Sequence, residues 1–425
     1  MKASETQRAI EAVWRIESAR LVASLARLVR DVGLAEELAQ DALVTALERW
    51  PEAGIPANPG AWLMATAKHR AIDQLRRSKR FERKSEELGH ELEAQRDLAV
   101  PDLESALDDD IGDDLLRLVF VSCHPVLSTE ARVALTLRLL GGLTTAEIAR
   151  AFLTPEPTIA QRIVRAKRTL AEARVPFEVP RGPERAERLT SVLEVLYLVF
   201  NEGYTATSGS DWVRPALCED ALRLGRILAE LAPEEPEVHG LVSLMEIQAS
   251  RLRARTTPTG EPILLLDQNR ARWDLLLIRR GLAALERAEA LGGQGPYVLQ
   301  AAIAACHARA RTAEETDWVQ IATLYAALVQ RVPSPIIELN RAVAVSMAFG
   351  PAAALGIVDE LASIPSLQRY HLLPSVRGDL LAKLERFEEA RAEFERAASL
   401  THNQRERDLL LARAAACAQG ITGGV

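Results

Sequence analysis

The sequence contains few of the features that mark secreted, membrane-anchored or metal-binding proteins. Its 425 residues include only four cysteines, and aromatic residues make up 4%. Four widely scattered cysteines do not suit a disulfide framework and fit a reducing cytoplasm. No uninterrupted apolar run reaches about 18 residues and no signal-peptide pattern is present, so we expect a cytoplasmic protein without a membrane segment. Cys123 and His124 are adjacent, but no further cysteine or histidine lies at metal-ligand spacing, which argues against a zinc site.

The sequence also lacks a catalytic constellation. Glu202 and Asp267 could imitate a pair of acid/base carboxylates, but no nucleophile or phosphate-binding loop accompanies them. We therefore expect neither an enzyme nor a cofactor. The formal net charge of −7 does not exclude nucleic acid as a partner. It averages over segments of opposite sign, and local fields decide docking.

A helix-turn-helix pattern occupies residues 143–168, LTTAEIARAFLTPEPTIAQRIVRAKR. Thr144 and Glu147 fit a capping box at the start of the first helix, and the Pro-Glu-Pro segment 155–157 separates it from the second. The second helix has an apolar side formed by Ile159, Ile163, Ala166 and Leu170. The opposite side carries Gln161, Val164, Arg165 and Arg168, with Arg162 and Lys167 on its flanks. Such a face matches major-groove base edges while flanking cations neutralise phosphate, so the pattern predicts DNA binding. The alternative is a helical hairpin whose charged side is only solvated.

A second basic helix is predicted at residues 62–77, WLMATAKHRAIDQLRR. Its buried side comprises Leu63, Met64, Ala67, Ala71 and Leu75. The opposite stripe comprises Trp62, Thr66, His69, Asp73, Arg76 and Arg77. A cationic helix with an aromatic residue at one end suits single-stranded or melted nucleic acid. Trp62 could equally be an ordinary core anchor.

The charge reverses between these two helices. Residues 86–114 are rich in aspartate and glutamate, and Arg96 is their single Lys or Arg. Little apolar material is available to order this stretch, so the sequence predicts a flexible acidic linker.

Residues 33–50, GLAEELAQDALVTALERW, followed by the two basic helices in this order, resemble bacterial RNA polymerase sigma factors of the extracytoplasmic-function class. The resemblance covers about residues 8–175. It implies an all-α fold with two small helical domains, the first binding core polymerase and opening the −10 promoter element. The second would read the −35 element with its helix-turn-helix. The expected bounds are residues 1–84 and 115–175, joined by the acidic linker 85–114.

The same resemblance assigns roles to individual residues. The surface docking on the clamp helices of the polymerase β′ subunit would comprise Glu37, Gln40, Asp41, Val44 and Glu48. The −10 contacts would be Trp62, Thr66, His69, Arg70, Asp73, Arg76 and Arg77. The −35 contacts would be Thr158, Ala160, Gln161, Arg162, Val164, Arg165 and Arg168. His69 stands where the family commonly carries asparagine, so the family's base preference does not transfer. Arg165 is the best candidate for a guanine, because its fork matches the O6/N7 edge.

More than half of the chain follows residue 175, and prolines 176, 180 and 183 mark a boundary. From residue 186 onward the composition is rich in Ala and Leu, which indicates an all-helical array. Residues 373–400 look like a tetratricopeptide repeat. Its packing positions are Gly378, Leu381, Phe387, Ala390, Phe394 and Ala397. A weaker copy aligns residues 350–361 on 386–397, so we expect a helical-repeat domain at 184–425, tetratricopeptide-like mainly from about 280.

Two segments of this extension do not fit a plain repeat. FNEGYTATSG at 200–209, predicted to be a polar loop, and LLLDQNRARWD at 264–274 resemble signature stretches of the sigma-factor subgroup with a tetratricopeptide-like extension. They could form a ligand or protein contact site whose members are Asn201, Glu202, Tyr204, Asp267, Arg270 and Trp273. They could equally form buried hydrogen-bond networks that bridge the sigma part and the solenoid.

The sequence therefore favours a sigma factor controlled by its extension, for example by docking of the extension on the sigma domains in competition with polymerase. A second hypothesis is a helix-turn-helix regulator that binds duplex operators without polymerase, against which the predicted docking helix argues. A third is a tetratricopeptide scaffold with a vestigial N-terminal part.

Overall fold

The computed structural model describes residues 2–87, 111–152, 154–205, 213–257, 261–401 and 403–419, and these residues are helical apart from connections and one isolated bridge between Thr256 and Pro262. The helices of the first half are α1 Lys2–Val29, α2 Val32–Ala53, α3 Pro59–Glu87, α4 Ile111–Ser122, α5 Thr129–Leu139, α6 Thr145–Ala151, α7 Glu156–Glu172 and α8 Pro183–Tyr204. Those of the second half are α9 Pro215–Leu231, α10 Pro236–Ala249, α11 Leu275–Ala290, α12 Pro296–Arg309, α13 Trp318–Arg331, α14 Pro335–Phe349, α15 Pro351–Leu361, α16 Leu372–Lys383, α17 Phe387–Leu400 and α18 Gln404–Ala418. The expected all-α class is confirmed.

The chain divides into two compact units, Met1–Val195 and Leu196–Val425. In the first unit, α1 packs against α2, α3 and α4. Small side chains let these helices approach closely, and four alanines of α2 are fully buried: Ala35, Ala39, Ala42 and Ala46. Asp31 and Asn58 start α2 and α3, because their side chains accept hydrogen bonds from the backbone of Leu34 (2.9 Å) and Ala61 (3.1 Å).

Helix α4 begins at Ile111, so the last four residues of the expected acidic linker are helical. Its Asp114 is 1% exposed and pairs with Arg27 of α1 at 3.0 Å and with Arg117 at 2.6 Å. The buried carboxylate of Asp114 therefore links α4 to α1. The sequence had instead suggested that Asp114 is a solvent-exposed residue of the linker. The greater part of the predicted linker, residues 88–110, lies outside the described residues.

The sequence prediction of a loop from residue 200 is wrong for its first five residues, which form the last turns of α8. Polar residues and a glycine suggested a loop. Gly203 instead serves close packing, because a Cβ on it would lie only 2.7 Å from the backbone nitrogen of Cys218. Residues 206–209 lie outside the described part of the chain.

In the second unit, α12 packs on α10 and α13, and from α13 to α18 each helix packs chiefly on its neighbours in sequence. This is the neighbour-by-neighbour arrangement of a helical repeat. The predicted repeat at 373–400 corresponds to α16 and α17, where a Cβ on Gly378 would lie 3.0 Å from the ring of Phe394. Leu381, Ala390 and Phe394 are buried there as expected. Among the described residues, no helix has both the length and the apolar character needed to cross a bilayer.

Candidate nucleic-acid interface

The helix-turn-helix is built from α6 and α7, and local hydrogen bonds define its start. Glu147 accepts from the backbone of Thr144 at 2.7 Å and from its hydroxyl at 2.9 Å, while the Thr144 hydroxyl accepts from the Glu147 backbone at 3.2 Å. The predicted capping box is thereby confirmed. The same carboxylate binds Arg15 of α1 at 3.2 Å, which ties the helix-turn-helix to the first helices.

Helix α7 begins after Pro155, with Pro157 in its first turn. Its buried residues are Ile159, Ile163, Ala166 and Leu170, the four that the spacing predicts. The opposite side is open: Thr158, Gln161, Arg165 and Arg168 are exposed, and Val164 is 63% exposed. Ala160 and Arg162 are half-buried at the margin. Arg168 forms a 2.6 Å ion pair with Glu172 one turn later.

A groove of about 390 Å³ runs beside this exposed side. The residues that line it include Ser128, Glu130, Thr158, Gln161, Arg162 and Arg165. Two exposed donors with planar heads, Gln161 and Arg165, thus flank an exposed apolar side chain, Val164. These are the three kinds of group that read adenine, guanine and the thymine methyl in a major groove.

Lys167 departs from the prediction of a phosphate-contacting flank. Its ammonium pairs with Glu36 of α2, a carboxylate that is only 4% exposed. Glu36 also pairs with Arg138 of α5 at 2.6 Å and accepts from the amide of Gln40 at 2.5 Å. A buried carboxylate with two cationic partners thus joins α2 to α5 and α7, and Lys167 is occupied within the protein.

Glu36 is not among the functional residues predicted from the sequence. The available signal was its position, since it lies between two residues of the buried side of α2, Ala35 and Leu38. An acidic side chain at such a margin needs a cationic partner. The identity of that partner is set by tertiary packing across more than a hundred residues.

The predicted polymerase-docking side of α2 is largely exposed. Glu37, Asp41, Val44 and Glu48 are exposed, and Gln40 is half-buried against Glu36.

Asp41, on that side of α2, pairs with Arg70 of α3 at 2.8 Å, and Arg70 also donates to the Thr45 hydroxyl at 2.8 Å. A residue of the predicted polymerase surface and one of the predicted −10 set therefore hold each other in place.

The predicted −10 stripe on α3 is exposed at His69, Arg70, Asp73, Arg76 and Arg77. Trp62 is half-buried and meets the buried Trp50 edge to face, with ring centroids 5.3 Å apart. Thr66 is half-buried and donates to the carbonyl of Trp62 at 2.8 Å. Trp62 therefore takes part in core packing and keeps some accessible surface, so both of its predicted roles remain open.

In the second unit, the two unusual segments meet around Arg251. Its guanidinium carbon lies 5.8 Å from the ring centroid of Tyr204 and 5.7 Å from that of Trp273. Arg270 lies over Trp273 at 5.0 Å. Glu202 forms an ion pair with Arg214. Of the remaining predicted members, Asn201 is half-buried and Asp267 is exposed.

Comparison with known proteins agrees with this geometry. The family model of sigma-70 region 2 matches residues 16–81, and that of sigma-70 region 4 matches residues 117–170. A family of unknown function (DUF6596) matches residues 188–289, which include both unusual segments of the extension.

Three similar proteins extend the comparison. An uncharacterized protein of Rhizobium meliloti (strain 1021) is 44% identical over 384 residues, 90% of each chain. The ECF RNA polymerase sigma factor SigK of Mycobacterium ulcerans (strain Agy99) is 33% identical over 157 residues, 36% of this chain and 78% of that protein. The crystal structure of the yeast Tom70 aligns with 98% of this chain and 85% of its own chain, at 12% identity and with a TM-score of 0.31.

A chain that combines a region 2 helix bundle with a capped region 4 helix-turn-helix is a sigma factor. More narrowly, it belongs to the ECF RNA polymerase sigma factors, with an additional helical-repeat domain.

Proposed function

We propose that this protein directs core RNA polymerase to specific promoters, with α2 as the polymerase contact and α3 and α7 as the promoter contacts. The single observation that carries the proposal is the exposed side of α7, since Gln161, Val164 and Arg165 all face outward from a capped helix-turn-helix. The fork of Arg165 suits the O6/N7 edge of guanine, and the amide of Gln161 suits adenine. Thr158, exposed in the first turn of α7, suits a phosphate.

The exposed stripe of α3 is proposed to hold the opened −10 element. Arg76 and Arg77 can follow a phosphate backbone, while His69 can stack on or hydrogen-bond to an extruded base. Asp73 and Thr66 lie on the same stripe.

The exposed side of α2 is proposed to dock on the clamp helices of the β′ subunit. Glu37, Asp41 and Glu48 give this side an acidic character, and Val44 adds an apolar contact that is 51% exposed. Acidic groups opposite a basic partner steer association and fix orientation.

The promoter-bound form is proposed to be more open than the form described. Promoter elements centred near −10 and −35 are separated by about 25 base pairs, or about 85 Å of B-DNA. A compact chain with as many residues as the first unit has a radius of gyration of about 16 Å. It is therefore too small to contact both promoter elements at once. The Glu36–Lys167 contact between α2 and α7 must then break when both helices engage DNA.

The extension is proposed to control this activity by docking on the sigma domains in competition with polymerase, until a signal shifts the population. A test must keep the first half of α8, because Arg188 donates to the Phe120 carbonyl at 3.1 Å and Ser191 donates to the Cys123 carbonyl at 2.6 Å. Truncation after Val195 retains both contacts.

In vitro transcription with core polymerase tests the proposal, comparing the full chain and the truncated chain on the promoter of the protein's own gene. Promoter-dependent transcripts are expected with both, and more with the truncated chain. A pull-down with core polymerase separates the alternatives. An operator-binding regulator would bind duplex DNA without retaining polymerase, and a scaffold would bind neither. Equal polymerase binding and equal output from both chains would discard the regulatory role.

A further inference from the structure

A cluster of arginine and aromatic side chains lies within the second unit, at the end of α8 and along residues 251–273. Arg251 is 7% exposed and its guanidinium is flanked by the rings of Tyr204 and Trp273. A second arginine lies over each ring. The guanidinium of Arg255 is 3.8 Å from the ring centroid of Tyr204, and that of Arg270 is 5.0 Å from the ring centroid of Trp273. Three guanidinium groups thus alternate with two aromatic rings.

Among the described residues, the positive charges of Arg251 and Arg270 are poorly compensated. Within the part of the chain that the structure describes, no ion pair involves Arg251, and its buried Nε has no hydrogen-bond partner. Among the described residues, Arg270 donates to neutral oxygens: the carbonyls of His307 and Ala310, both at 2.7 Å, and the hydroxyl of Thr316 at 2.9 Å. Burial lowers the pKa of Arg270, and Arg251 lowers it further, while Glu314 and Glu315 act in the opposite direction. Buried charge without a counter-charge is costly, so an anion would stabilise this arrangement.

Further polar atoms in the same region are buried with no hydrogen-bond partner among the described residues. They are the indole Nε1 of Trp273, the ring Nδ1 of His307 and the Oε1 of Gln268. Burial, with Arg251 and Arg270 nearby, lowers the pKa of His307 to about 3, so this ring is neutral at physiological pH. Orphaned polar groups are uncommon in native proteins, and several in one place indicate a missing partner.

We propose that this cluster binds a small oxyanion, the phosphate or carboxylate group of a small molecule, with Arg251 as its central contact. A guanidinium whose face lies against an aromatic ring can still donate hydrogen bonds from the N–H groups at its edge. Two of these N–H groups can donate in parallel to two oxygens of one oxyanion. Trp273 supplies a further unused donor beside it. A small ligand is favoured over a peptide or nucleic acid strand because Arg251 is too deeply buried for a polymer to reach. The proposal does not depend on the sigma function, since binding is measured without polymerase.

The test uses the full-length protein with inorganic phosphate, pyrophosphate and citrate as probes, in isothermal titration calorimetry and thermal denaturation. The first two probes represent phosphate and the third carboxylate, so the arms identify the favoured anion. We expect wild type to bind at least one probe and to melt at a temperature that rises with its concentration. Arg251→Met should weaken that binding by about 10- to 100-fold, the loss expected for one charge-assisted contact. Arg253→Met, an exposed arginine two residues away, is the matched control and should bind as wild type does.

A second measurement separates ligand binding from a purely structural role. Without added anion, Arg251→Met should melt no lower than wild type, because the variant removes a buried and unpaired charge. A variant that melts well below wild type yet binds the probes unchanged would make Arg251 structural and overturn the site. The proposal also fails if no probe binds wild type at concentrations up to about 10 mM, a limit that corresponds to very weak affinity. It fails equally if Arg251→Met and Arg253→Met lose the same amount of binding, because the signal would then come from other basic surfaces.

Discussion

The substitution Glu36→Gln tests how the helices of the first unit are held together. The Glu36 carboxylate is 4% exposed and holds both Arg138 and Lys167, so Glu36→Gln removes the charge while keeping the shape. Removing one partner of a buried ion pair costs about 3–5 kcal/mol. The two cations are each about one-fifth exposed, so water can partly solvate them, and we take the lower end, about 3 kcal/mol. For a unit of this size that corresponds to a fall of about 6–12 °C in melting temperature.

Scanning calorimetry of the full chain measures this shift, and Glu37→Gln is the matched control. Glu37 is the next residue, carries the same charge and is exposed, so its substitution should leave the melting temperature within about 1 °C of wild type. In a polymerase-binding assay the opposite order is expected: the variant that leaves the melting temperature unchanged should be the one that changes binding. Glu37→Gln should weaken binding to core polymerase, because Glu37 belongs to the proposed docking surface. Glu36→Gln should not, because its carboxylate is turned inward.

Release of Lys167 has its own signature in DNA binding. A freed ammonium on the flank of α7 can neutralise one more phosphate, so the slope of log affinity against log salt should steepen by about one. Fluorescence anisotropy with a promoter duplex between 50 and 200 mM salt, concentrations chosen to span the steep range, measures this slope. If Glu36→Gln melted at the same temperature as Glu37→Gln and its salt slope equalled that of wild type, the inference that Glu36 holds α7 against α2 would be refuted.

Three further predictions concern DNA reading, the extension and pH. Arg165→Ala should reduce promoter-specific binding by about 10- to 100-fold in anisotropy titrations. Arg181→Ala, an exposed control with the same charge change, should retain specificity. Equal losses in the two variants would show that Arg165 does not read a base. Truncation after Val195 should raise polymerase binding in a pull-down if the extension competes for the same surface, and a fall would reverse the proposed sign of control. The folded pKa of His307, about 3, lies below its ordinary value near 6.5, so stability should rise with pH between them and fall by about 2 kcal/mol from pH 6.5 to 5. Thermal melts against pH should lose that dependence in His307→Gln but keep it in His239→Gln, and an unaltered profile in the former would contradict the assignment.

Local patterns predicted the local structure of the candidate interface well. The buried side of α7 follows from 3.6-residue spacing, and the capping box of Thr144 and Glu147 needs only residues three apart. The repeat formed by α16 and α17 was recognisable because Gly378 and Phe394 are a small and a large partner at characteristic positions.

Features that depend on distant residues could not be predicted in the same way. The cationic partners of Glu36, Arg138 and Lys167, lie 102 and more residues away in the sequence, and nothing in the local sequence identifies them. Gly203 was misread because a glycine can mark either a turn or a close approach, and only the position of Cys218 decides between them. The placement of Arg251 between Tyr204 and Trp273 likewise requires three separate segments to converge.

The double engagement of Glu147 has a consequence for motion. Its three hydrogen bonds with Thr144 are made entirely inside the helix-turn-helix, whereas the contact with Arg15 reaches outside it. Breaking the outer contact leaves the inner ones intact. If the first unit opens on promoter binding as proposed, α6 and α7 would lose the contacts with Arg15 and Glu36 but keep the cap at Thr144 and Glu147.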